Sequence, residues 1–130
     1  MRILLILVAV LALAGFIAVA FVLPQMAVAE SKAAAQVLVA GAESVKQAVA
    51  ANALKAGNLQ ESGNGIKQSN QNDPSHGELK WIVEPGGSVR GWNEKNAIEI
   101  AITPAIQDGK VSWKCRGYPA AAMPASCGGR

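Results

Sequence analysis

Charge is missing from the first part of this chain. From Ile3 to Leu23 there is no charged residue and no hydroxyl, and no acidic residue occurs before Glu30. Such a stretch cannot be the surface of a water-soluble domain. At 1.5 Å rise per residue, a helix of about 20 residues spans a bilayer core. Other scarcities narrow the chemistry. With 2 cysteines and 1 histidine, only His76 could join Cys115 and Cys127, and a structural zinc site needs four ligands at suitable spacings. Lys and Arg total 12 against 9 Asp and Glu, a net charge of +3, and they are scattered singly. No block of like charge marks a dedicated nucleic-acid surface. There is no Gly-rich phosphate loop after a strand, no Cys–His motif and no carboxylate cluster. The chain is therefore not expected to be an enzyme or to need a cofactor or metal.

What is present divides the chain into two parts. Residues 1–24 form the apolar segment, and residues 25–130 are long enough for one small domain. Arg2 and the amino terminus are the only nearby charges, which places the N-terminus on the cytoplasmic side and the remainder outside. Small residues Ala9, Ala12, Gly15 and Ala18 permit close approach of neighbouring helices. Pro24 ends the run. A second fate stays open: Ala27-Val28-Ala29 before Glu30 has the A-x-A form of a signal-peptidase site. The apolar run is, however, longer than the usual signal core of about 7–15 residues.

Gln25 to Ala56 is dense in alanine, with Lys, Glu, Gln and Ser interspersed, and predicts a helix. Leu38, Ala42, Val45, Val49 and Ala53 recur at three- and four-residue steps and make one apolar stripe. Gly57-Asn58 is the stop signal. Bends are expected near Pro24 and Gly41. Residues 57–78 read as a loop, with Asp73-Pro74-Ser75 as a turn and His76 as a solvated side chain. The segment 79–115 predicts an antiparallel sheet of about four strands: Leu79–Glu84, Ser88–Trp92, Ala97–Thr103 and Lys110–Cys115. Ile98, Ile100 and Ile102 alternate onto one face, and Val111, Trp113 and Cys115 do the same. Asp108-Gly109 is a hairpin signal. The fold class is α+β: one long helix packed on the sheet, with Val45 and Val49 meeting Ile98, Ile100 or Trp113. Trp81, Trp92 and Trp113 read as core or staple residues rather than a carbohydrate or nucleic-acid platform.

The C-terminus carries the most specific pattern. Cys115 ends a strand, eleven residues rich in turn formers come next, and Cys127 lies almost at the end. Two cysteines behind an export-type N-terminus favour an oxidising compartment and a disulfide that pins residues 115–127 as a loop.

In order, Ile102-Thr103-Pro104, Asp108-Gly109, Trp113-Lys114-Cys115, Met123-Pro124 and Cys127 resemble the final hairpin and disulfide-bounded loop of bacterial type IV pilins of the short-leader kind. Leu23-Pro24-Gln25 resembles the proline that comes after the membrane stretch in that family. The resemblance implies a structural subunit of an extracellular filament, stored in the inner membrane and then built into a pilus by an assembly machinery. Identical chains would be the main partners; a surface receptor, DNA or phage would be others. It also implies a mature, methylated start near Ile3. The chain departs from the family there, because residues 1–10 lack the Gly of the cleavage motif and its following Glu. The alternative is a membrane-tethered or exported monomeric binding module of pilin-like fold.

Overall fold

The computed structural model describes residues 1–129. A nearly continuous helix occupies the first part of the chain, and an antiparallel meander packs on its second half. The helix has three α segments, α1 (Arg2–Ile17), α2 (Leu23–Gly41) and α3 (Glu43–Ala56), with a π turn at Ala18–Val22 between the first two. The π turn has a local cause. Pro24 has no N–H, and its ring crowds the carbonyl of Ala20 one turn back. The register loosens just before it, so that the Leu23 N–H reaches Ala18 O, five residues back. Proline and π turns are the usual origins of helix bends.

The second interruption, at Gly41–Ala42, comes from packing. The Ala42 N–H turns to Val39 O at 3.2 Å, a tighter i−3 bond. Leu38 O thereby loses its regular helical donor and accepts the indole Nε1–H of Trp81 at 3.0 Å instead. The ring also lies against Gly41, where a β-carbon would overlap it. The regular helix is thus interrupted near both places where a bend is expected, the second where a tryptophan from the sheet takes up the freed carbonyl. Beyond it, α3 has Glu43 in its first turn and Lys55 in its last, which suits the helix dipole. Gly57 closes α3 in the left-handed conformation with φ 77°, its N–H bonded to Ala53 O at 2.8 Å.

Five strands come next, in the spatial order β1-β2-β3-β4-β5, all neighbours antiparallel. They are β1 (Gln71–Asp73), β2 (Gly77–Val83), β3 (Val89–Asn93), β4 (Ile98–Gln107) and β5 (Lys110–Tyr118). The expected count of about four is corrected by β1, which lies inside the segment 57–78 read as loop. Three polar residues carry no alternation to announce a strand. The Asp73 carboxylate makes it one: Oδ1 accepts from the N–H groups of Ser75 and His76 at 2.8 and 2.9 Å, and Gly77 completes the reversal at φ 77°. Both later strands also run further than expected. β4 continues through Pro104, which is tolerated because pairing with β3 ends at Ile102 and one side of β4 is then free. β5 continues past Cys115 to Tyr118, so the disulfide loop begins within a strand. At Asp108-Gly109 both residues have positive φ, 51° and 72°, as a two-residue hairpin turn requires.

The core lies between the helix stripe and the inner sheet face. Leu38, Ala42, Val45, Val49 and Ala53 on the helix are buried, as are Leu79, Trp81, Val89, Ile98, Ile100 and Ile102 on the strands. The C-terminal strap completes the enclosure. Cys115 and Cys127 form a disulfide across 12 residues, Cys127 and Met123 are buried, and Met123 fills the space over Gly117.

Three outcomes test this packing. Gly41→Ala would ordinarily strengthen a helix by about 1 kcal/mol. Here it should destabilise the domain by about 1–3 kcal/mol in denaturant titration, because the methyl group overlaps the Trp81 ring. Val49→Asp should abolish the cooperative melting transition, since it places an unpaired charge at a fully buried position. Removing the disulfide by Cys127→Ser should cost about 3 kcal/mol for a loop of this size, and the unreduced protein should show no free thiol on Ellman titration.

Candidate assembly and membrane helix

The first thirty residues of the chain are exposed throughout, and the domain packs only on the helix beyond them. The earliest bond between helix and domain is Ser31 Oγ to Asn96 O at 3.4 Å, and the first buried helical residues are Ala34 and Ala35. A helix of thirty residues is about 45 Å long, so most of this element projects beyond the domain. Its side chains are apolar on every face: Ile3, Leu4, Leu5, Leu11, Phe16, Val19, Phe21 and Leu23 are among those exposed. The most apolar eighteen-residue stretch has a mean hydropathy of 3.1 and none of it is buried. The helix is long and apolar enough to cross a membrane. A bare surface of this kind far exceeds the few hundred Å² of contiguous apolar patch that soluble monomers tolerate. Nothing within the chain covers it.

The small residues do not form a straight seam. Ala9, Ala12, Gly15 and Ala18 are spaced at steps of three, and each step turns the helix by about 300°. They therefore wind from one side of the helix to the other. All are exposed, and Gly15 has nothing within 4 Å of where a β-carbon would sit. Pro24 is also exposed, at the second position of α2. A β-carbon at Gly15 would meet no part of the domain.

The residues expected to form the domain core sit elsewhere on the same helix and on the sheet. Val45 and Val49 are buried, and Ile98 and Ile100 are buried in the same cluster, although the helix contacts of β4 fall mainly on α2 and those of α3 on β5; Trp113 is half-buried at the rim. The Lys46 ammonium lies 5.6 Å from the centre of the Trp113 ring, a cation–π contact that seals the edge between α3 and β5. Lys46 also bonds Glu43 at 3.3 Å.

Two structural roles are hidden in the sequence. Asn93 is 1% exposed and fully bonded: its Nδ2 donates to His76 O and Glu78 O, both at 2.8 Å, and its Oδ1 accepts from the backbone and side chain of Asn96. It ties the β1–β2 turn to the β3–β4 turn, near where Ser31 meets the domain. Nothing in an Asn among polar neighbours signals this. The other is the partner of Trp81, since composition and pattern mark the residue as core or staple without saying what it meets. The glycines at 41 and 91 are the available signal, because a glycine within a helix or strand often marks close approach.

The outer sheet face is the other prominent surface. A shallow cavity of about 660 Å³ is lined there by Ile82, Arg90, Trp92, Glu99 and Tyr118 among others. Arg90 bonds Glu99 at 2.8 Å, and this bond holds the guanidinium above its ordinary pKa. Lys80 is likewise raised, first by its hydrogen bond to Glu94 at 3.2 Å and then by the charge of Glu78.

No protein-family model matches this chain, and no curated protein matches it significantly. The architecture by itself is compatible with a pilin-like fold: a long N-terminal helix, an antiparallel sheet packed on its second half, and a C-terminal disulfide.

Proposed function

We propose that the chain is a structural subunit of a type IV pilus-like extracellular filament, held in the inner membrane before assembly and built from identical copies through its N-terminal helix. The single observation behind this reading is the apolar helix that projects from the domain with no cover of its own. An all-round apolar helix is compatible with both a bilayer and a bundle of like helices. Burial in the bundle would remove most of its surface from water at about 25 cal/mol per Å², which makes the helix the dominant source of assembly energy. An assembly machinery would lift each copy from the membrane. A surface receptor, DNA or phage would meet the outer domains. Adhesion, motility and DNA uptake are the activities that such a filament serves.

The missing acid shapes the assembly. No charge lies between Arg2 and Glu30, so no buried carboxylate specifies the register of neighbouring helices. An uncompensated charge in a dry bundle is costly, and its absence leaves apolar packing as the whole of the helical contact.

A second reading, a membrane-tethered monomeric binding module, draws on the cavity edged by Trp92 and Tyr118 on the outer sheet face. Detergent removal separates the two. The filament reading expects fibres by electron microscopy, with helical cores that persist as salt is raised. Gly15→Leu should prevent fibres without changing the melting temperature of the domain, because no part of the domain lies within 4 Å of a β-carbon at that position. Chains that remain monomeric after detergent removal would support the tethered module instead.

A further inference from the structure

Lysines and arginines that are scattered in the sequence are gathered by the pleat of β5. Its outward positions are Lys110, Ser112, Lys114, Arg116 and Tyr118, all exposed. Among the described residues, no carboxylate lies within 4.0 Å of Lys110, Lys114 or Arg116. The β4 residues opposite them are Gln107, Thr103 and Ala101, none of them acidic. The other half of the same face has the opposite balance. Outward from β2, β3 and the start of β4 come Glu78, Glu84, Glu94 and Glu99 against Lys80 and Arg90, and both of those cations are already paired. Glu84 has no cation within 4.0 Å among the described residues. One flat face therefore carries a basic edge and an acidic edge, with the small outward residues Ala101, Thr103 and Ala105 of β4 between them.

The geometry points to this face as a two-fold interface with a second copy of the chain, in which Lys114 of each copy meets Glu84 of the other. The register supplies the arithmetic. Lys114 lies level with Thr103, and Ile82 level with Arg90 and Ala101. Two residues further along each strand, Glu84, Ser88, Thr103 and Lys114 share one level across the sheet. A two-fold axis parallel to the strands, passing between β3 and β4, exchanges β5 with β2 and keeps every level. Lys114 then faces Glu84 twice, and Arg116 lies over the exposed Ile82. Two sheets stacked in this way sit about 10 Å apart, with strands aligned as in ordinary sheet packing.

The axis also suits a membrane. A β-carbon at Gly87 would lie 2.7 Å from Val49 Cγ1, and Asn96 O meets Ser31, so the chain from 87 to 96 runs back beside the helix from 49 to 31. Between those two points lies the five-residue strand β3, about 17 Å long, beside the helix segment it packs on. β3 therefore runs back along the side of the helix. A two-fold axis in that direction keeps both helices pointing the same way, and both apolar segments can enter one bilayer. The interface belongs to the anchored chain whether or not filaments form.

Charge reversal tests it on the full-length chain in detergent micelles, with the dimer dissociation constant measured by analytical ultracentrifugation at low salt. Each of Lys114→Glu and Glu84→Lys should weaken the dimer at least about tenfold, since each turns two exposed attractions into repulsions. The double variant, with the charges exchanged, should return to within about threefold of the native value. Raising salt to about 1 M, where the screening length is about 3 Å, should weaken the native dimer. A native chain that is monomeric, single variants that associate normally, or a double variant that is not rescued would each overturn the interface. So would a dimer abolished by Gly15→Leu and unmoved by charge reversal, because helix contacts would then carry it. Fibre formation is read separately after detergent removal, so failure of the filament reading leaves this result distinct.

Discussion

The indole of Trp81 joins the helix to the sheet, and the domain depends on that junction. Its ring sits against Gly41 on the helix and over Gly91, its cross-strand partner on β3, where a β-carbon would come within 3.0–3.2 Å of it. Its N–H takes up the Leu38 carbonyl released by the bend. A buried indole N–H without an acceptor would cost about 1–3 kcal/mol, and so would an orphaned helix carbonyl. Each satisfies the other, and the bend that frees the carbonyl also makes room for the ring. Glycine at two places, tryptophan at one and a helical bend are thus a single constraint. Beyond it, the helix meets the sheet where Val49 lies under Gly87 beside Pro104, and the C-terminal strap packs on α2 and places Met123 over Gly117.

This junction also sets how the apolar helix is presented. The domain grips the helix from Ser31 onward and leaves everything before it free. The π turn before Pro24 lies within the projecting segment, ahead of the first gripped residue, Ser31. The same chain then carries two apolar surfaces. The domain hides its own apolar stripe with a sheet and a disulfide, as small domains commonly require. The projecting helix has no such cover within the chain.

Much of the domain is legible in the sequence because its signals are periodic. The helical stripe, the alternation of Ile98, Ile100 and Ile102, the Asp108-Gly109 turn and the two cysteines each stand out by residue spacing. The illegible parts depend on partners distant in sequence. β1 is three polar residues held by an Asp73 turn. Asn93 becomes a hub only because four donors and acceptors from three turns and strands converge on it. The cations of β5 look scattered in the sequence, at 110, 114 and 116, and only the period of two brings them to one face. Gly41 is readable as a bend, whereas its cause lies forty residues away. The helix that carries the proposed function is the most legible element of all, since a long run without charge has few physical interpretations.

The most direct measurement of this organisation is native-state hydrogen exchange of the three indole N–H groups by NMR, on the full-length chain in detergent. Trp81 should exchange only through global unfolding, with a protection free energy equal to the denaturant-derived stability of the domain. Trp92 and Trp113, which are only half-buried, should exchange faster by local opening. A Trp81 indole that exchanges as fast as the other two would contradict its role as the junction, because the helix and sheet would then be joined without it.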